Sequence, residues 1–272
     1  MQIKGKVALV LGAVKGIGKG IGMALAQQGA TLVLTRHDWE DAFESMEKDF
    51  SDPDCDHTII TADLRHIKDI EQLAAAIEEK YGRLDILINN IERGGWPTVH
   101  GEYVEAQWDL EMETTLKAKQ WVFSSVFPLL KKAKAAVVIN ISSIAGIVGR
   151  SGPAALVFND GYAAANRGIS SLTETWARMG APTIRVNELM LGMVDTRHAR
   201  DTRGWRDVLT NEEKQSLVDH TLLGRTGTLE DVTKACLFII KDAPYMTGSV
   251  LRIDGGYVLA GEAIPPMPKG IV

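Results

Sequence analysis

The sequence predicts a single α/β domain, a doubly wound, seven-stranded parallel sheet with helices on both faces. Three observations predict it. Short apolar runs alternate with helical stretches of roughly 10–20 residues from near the first residue almost to the last. The runs are continuously apolar rather than alternating, as strands buried on both faces are. No Pro/Gly/Ser-rich linker, low-complexity tract or repeat divides the 272 residues, a length that suits one generous domain or two small ones.

The elements follow in order. Lys6 to Leu11 is the first apolar run, and a glycine-punctuated turn carries it into a helical stretch from about Gly18 to Gln28, stopped by Gly29. Thr31 to Thr35 is a second strand. Asp38 to Phe50 reads as a helix, broken by Asp52-Pro53-Asp54. Thr58 to Thr61 is a third strand, ending near Asp63, and Ile70, Leu73, Ala74, Ile77 and Tyr81 then recur at helical spacing. Asp85 to Asn89 and Ala135 to Ile141 are the fourth and fifth strands, separated by a long helix over about Trp108 to Lys131. Thr183 to Asn187 and Ser249 to Ile253 complete the sheet. Residues 1–260 are thus expected to form the domain and 261–272 an irregular tail.

Composition narrows the function. A chain that is 45% hydrophobic and 24% charged is neither disordered nor fibrous. Thirty Lys and Arg against 35 Asp and Glu, a net charge of −5, argue against gripping nucleic acid by counterion release. Two cysteines, Cys55 and Cys236, make neither a disulfide framework nor a cysteine zinc site. The six histidines lack ligand spacing, so no metal is expected. With no signal-peptide pattern and no 18-residue apolar stretch, a soluble cytoplasmic protein is expected.

Chemistry begins at the first turn, Gly12-Ala13-Val14-Lys15-Gly16-Ile17-Gly18. Glycines between a strand and a helix let the backbone turn tightly and approach a pyrophosphate, which rests on the helix N-terminus. A purely structural turn is the alternative. Further landmarks follow in order: Asp63-Leu64, Leu84 to Asn90, Asn140-Ile141-Ser142-Ser143, Tyr162 opening a helix, Ile184 to Asn187, Leu223 to Gly227, Thr247-Gly248 and Asp254-Gly255-Gly256. With these, residues 3–258 resemble a short-chain dehydrogenase/reductase, of the branch that contains the 3-oxoacyl-carrier-protein reductases.

The resemblance implies a Rossmann-like fold and an oxidoreductase that uses a nicotinamide dinucleotide. Gly12, Val14, Lys15, Gly16, Ile17 and Gly18 would cradle the pyrophosphate. Asp63 and Leu64 would flank the adenine, Asn90 would lie along the nucleotide, and Val194 and Thr196 would meet the carboxamide. The position that carries a ribose-binding carboxylate in NAD enzymes is Arg36 here. A guanidinium pairs with the 2′-phosphate of NADP, with Lys15 as a second cation, so NADP(H) is expected. Asp38 could neutralise Arg36 instead, or Arg36 could be a solvated surface charge.

In the family a tyrosine exchanges the proton, a serine hydrogen-bonds the same oxygen and a lysine one turn after the tyrosine lowers its pKa. Tyr162 and Ser143 match the first two. The lysine position is Asn166, and the asparagine of the preceding long helix is replaced by Thr115. A unit charge about 4 Å away is worth roughly 4 kcal/mol at a dielectric of 20, about three pKa units on a phenol that starts near 10. Without it Tyr162 stays protonated, which favours carbonyl reduction over alcohol oxidation. Asn166 could still bond the ribose, and Asn166→Lys is expected to raise turnover or lower the pH optimum.

The expected function is NADP(H)-dependent reduction of a ketone or aldehyde, with a nucleotide-binding protein of little activity as the alternative. Arg197, Arg200, Arg203 and Arg206 fall in the expected substrate lid, about 195–225, but interleaved Asp195, Asp201 and Asp207 favour a solvated mixed-charge surface. Trp96 and Trp108 are placed near the mouth of the site, where packing is the simpler role. The resemblance also implies a homodimer or homotetramer, built on the long helices that hold Trp121 and Trp176.

Overall fold

The computed structural model describes residues 1–52, 55–91, 104–196 and 209–260. Seven parallel strands form one sheet in the order β3-β2-β1-β4-β5-β6-β7. They are β1 (Val7–Val10), β2 (Thr31–Arg36), β3 (His57–Thr61), β4 (Ile86–Asn89), β5 (Ala136–Ser143), β6 (Ile184–Leu191) and β7 (Val250–Ile253). The helices are α1 (Gly16–Gln27), α2 (Phe43–Asp49), α3 (Ile67–Tyr81), α4 (Glu105–Glu111), α5 (Ala118–Lys132), α6 (Ala145–Val148), α7 (Asp160–Gly180), α8 (Asn211–Asp219) and α9 (Leu229–Lys241). The strand order reverses direction between β1 and β4, and that switch point opens a crevice at the carboxyl ends of the strands.

Strands β1 to β6 each feed two cores. In β1, Ala8 and Val10 pack on the face covered by α1, α2 and α9. Val7 and Leu9 pack on the opposite face under α3, α5 and α7. Trp176 belongs to the second core rather than to a free surface: it is buried and stacks on Phe123 with centroids 4.1 Å apart. Trp121, by contrast, is exposed.

Boundaries differ from the sequence expectations where polar residues turn inward. β5 runs on to Ser143 and β6 to Leu191 because Asn140, Ser142, Ser143, Asn187 and Glu188 are buried within them. The helix expected from Asp38 starts at Phe43. Trp39 takes a left-handed conformation (φ 72°), and Glu40–Ala42 form only a 3-10 turn. The long helix is interrupted by a π-helical segment, Met112–Lys117, between α4 and α5; the wider turn of such a segment shifts the register of α5 relative to α4. Between Ser143 and Tyr162 the chain makes α6 and a 3-10 turn, Gly152–Leu156. Of the expected lid, α8 is described and is started by a Thr210–Glu213 capping box. The arginine positions 197, 200, 203 and 206, Trp96 and the tail 261–272 lie outside the described residues.

Candidate active site

The turn after β1 forms one wall of the crevice. Gly12 and Gly16 take positive φ (64° and 55°). A Cβ on Gly12 would lie 2.6 Å from the Asn90 carbonyl oxygen, and one on Gly18 would lie 2.2 Å from that of Gly12. Only glycine fits. Asn90, just past β4, also ties the turn down by donating to the Leu11 carbonyl at 3.2 Å. No side chain caps α1 and no acid sits in its first turn, so the leading N–H groups face the crevice with the positive end of the helix dipole.

The crevice has a volume of about 200 Å³ and is lined by Gly12, Val14, Lys15, Gly16, Ile17, Arg36, Asp63, Leu64, Asn90 and Thr196. Gly18 is buried beneath the turn, and Val194 stands behind, bridged to Gly227. Trp39, which nothing in the sequence marked, also lines the crevice, and the Lys15 ammonium sits 4.1 Å above its ring.

Arg36 is neither a loose surface charge nor paired with Asp38. Its Nη1 donates to Glu47 at 2.6 Å, its Nε to Thr61 at 3.1 Å, and its plane lies 4.3 Å from the Phe43 ring. The guanidinium is therefore held at the crevice wall. Asp38 instead approaches His37, at 3.8 Å. Asp63 is gripped by Arg65, whose Nε donates to both carboxylate oxygens at 2.9 and 3.1 Å. Burial pushes the Asp63 carboxyl up, but the Arg65 hydrogen bonds and the His37 and Arg65 charges outweigh it and hold its pKa at about 2.

The catalytic candidates form a second cluster, outside the crevice lining. Ser143 ends β5, and its hydroxyl accepts from Ala145 N–H at 3.1 Å, leaving its own proton to donate. Tyr162 lies in the first turn of α7, where Asn159 caps its N–H at 2.9 Å; the Asn159 amide in turn donates to buried Glu111. Tyr162 packs on Phe158 and is 3% exposed. Asn166 joins the two: its Oδ1 accepts from Ser143 N–H at 2.9 Å and its Nδ2 donates to the Tyr162 carbonyl at 3.0 Å. An asparagine can do both; a lysine can only donate. Asn166 is fully buried in this role. Thr115 is fully buried too.

The glycine cradle, the uncapped α1 terminus and the cations Lys15 and Arg36 fit a dinucleotide phosphate. Comparison with known proteins agrees. Residues 12–258 match the family model described as enoyl-(acyl carrier protein) reductase. The chain is 31% identical over 269 residues to the 3-oxoacyl-(acyl-carrier-protein) reductase FabG of Thermotoga maritima, covering 95% of this chain and all of that one. The chain belongs to the short-chain dehydrogenase/reductase family. It is also 29% identical over 259 residues to the 1,6-dihydroxycyclohexa-2,4-diene-1-carboxylate dehydrogenase of Acinetobacter baylyi, covering 92% and 95% of the two chains. A crystal structure from Burkholderia xenovorans, assigned to the short-chain dehydrogenases/reductases, superposes with a TM-score of 0.81 at 26% identity, covering 96% and 99%.

As a short-chain dehydrogenase/reductase, the chain is an oxidoreductase whose relatives use a nicotinamide cofactor. Its departures cluster behind the catalytic candidates. Sequence spacing identifies Asn166 and Thr115 as substitutions. It does not reveal Lys119, Glu188 and Glu111, all buried. Lys119 has one legible sign: it opens the series Lys119, Val122, Val126 and Leu129, the core-facing side of α5. No helix among the described residues is long and apolar enough to cross a membrane.

Proposed function

We propose that this protein is an NADP(H)-dependent reductase of a ketone or aldehyde, with Tyr162 donating the proton and the Ser143 hydroxyl bonding the carbonyl oxygen. The observation that carries the reading is the link from Ser143 N–H through the Asn166 amide to the Tyr162 carbonyl. It ties the backbone of Ser143 to that of Tyr162 through one side chain. When bound, the nicotinamide supplies the hydride. The residues of this chain orient the substrate and supply the proton.

The neutral amide at 166 decides the direction. An amide supplies no cation to stabilise a phenolate, and a phenol is the acid that carbonyl reduction needs. Lys15 and the held Arg36 favour the 2′-phosphate of NADP over a free ribose. A homodimer or homotetramer is part of the same reading; light scattering on the purified protein measures it. Two experiments test the function. NADPH and NADH titrations are expected to favour NADPH by at least about tenfold, the minimum for one added charge-assisted contact; equal affinities would overturn the NADP assignment. NADPH consumption against ketones and aldehydes is expected to show turnover with at least one class.

A further inference from the structure

The strand that presents Ser143 is held by side chains where its neighbour has ended. β4 pairs with β5 only as far as Asn89 opposite Asn140. Ile144 N–H points to Leu191 on β6, so by alternation Ile141 and Ser143 face the β4 side, where no strand remains among the described residues. A buried backbone group left unmet there would cost about as much as a lost hydrogen bond. Lys119 Nζ, in the first turn of α5, donates to the Ile141 carbonyl at 2.7 Å. Asn166 meets Ser143 N–H. Between them the Ser142 hydroxyl donates to Glu188 on β6. Three consecutive residues are each tied by one side chain from a different element, and Lys119, Asn166 and Glu188 are all 0% exposed.

A lysine at this depth carries a desolvation cost that methionine of similar length would avoid. The Lys119 charge also acts on Glu188, whose carboxyl is raised on balance. Burial pushes the Glu188 carboxyl up, while hydrogen bonds with Ser142 and Ser170 and the Lys119 and Arg167 charges oppose that shift. Removing Lys119 would take away one of the two cations that oppose the burial of Glu188.

We propose that Lys119 and Glu188 are positioning residues for Ser143: a buried cation and carboxylate that fix the end of β5 from the helix above and the strand beside it, and so aim the Ser143 hydroxyl. The inference rests on the reading of Ser143 as the hydroxyl that meets the substrate oxygen. Misplacing such a group by about 1 Å can cost on the order of 100-fold in rate.

Amide hydrogen exchange on the full chain, without cofactor or substrate, is the test. In Lys119→Met the Ser143 and Ile144 amides are expected to exchange about tenfold faster while those of β1 are unchanged. The paired variant Lys119→Met/Glu188→Leu removes both charges and is expected to recover thermal stability, yet keep fast exchange at 143 and 144. Lys119→Arg, which preserves charge and donor, is expected to restore slow exchange. For an active carbonyl substrate, Lys119→Met should lower kcat with the KM for NADPH unchanged. A folded double variant with native exchange at Ser143 and Ile144 would overturn the proposal. So would a double variant that does not fold, because the pair would then hold the whole domain. Local loosening in a protein that reduces no carbonyl would support the clamp and contradict the reading of Ser143, so the two failures are distinct.

Discussion

Asp63 carries the largest resolved charge effect on the crevice wall, and its sign can be followed through pH. Its folded pKa of about 2 lies below the ordinary aspartate value of 3.8. A depressed carboxyl contributes stability that is complete above the unfolded value and is lost as pH falls toward the folded one. Acid unfolding of the wild type is therefore expected to steepen between 3.8 and about 2. Asp63→Asn is expected to remove that slope. It should also cost on the order of 1 kcal/mol at neutral pH, a figure discounted for the solvent that reaches Arg65. Identical acid limbs in the two proteins, measured by urea midpoints across the range, would contradict the ion pair. Asp63 is legible as a site residue from its place after β3. Its partner Arg65 is not, because a surface arginine two residues away has no pattern of its own.

At the scale of elements, legibility tracks the apolar runs. They mark the strand starts closely, but not the end of β5, where Ser142 and Ser143 are polar and buried, nor that of β6, where buried Asn187 and Glu188 interrupt the apolar run before Leu189. Hydrophobic periodicity cannot distinguish such residues from a loop. The π-helical segment is likewise invisible in sequence, since Met112–Lys117 reads as plain helix. Spacing finds the position of Asn166 but not its role. Sequence places it where a lysine would act on the cofactor; the fold uses it to fasten α7 to the end of β5. That changes the expected result of Asn166→Lys. The new side chain offers no acceptor to Ser143 N–H, and an unmet buried donor costs about 1–3 kcal/mol. Asn166→Lys is expected to lower the melting temperature without raising turnover. A stable variant with faster turnover would show that the ammonium reaches the cofactor despite the loss of the clamp.

For the whole molecule, the architecture is the most legible feature. Alternating runs and helices imply a parallel sheet, and the parallel sheet with its glycine turn places a phosphate site at the switch point, where Gly12 and Asn90 meet. The chemistry beside it is half legible. Ser143 and Tyr162 stand in the family's order, whereas the contacts that the buried Lys119, Glu188 and Asn166 make behind them only the folded chain reveals. The decisive measurement compares wild type with Tyr162→Phe in NADPH oxidation against one carbonyl panel. Turnover by the wild type that falls by roughly 10²–10⁴-fold in Tyr162→Phe, with NADPH affinity unchanged, is the expected result. Wild-type protein that binds NADPH yet reduces no carbonyl, or a phenylalanine variant as fast as wild type, would contradict proton donation by Tyr162.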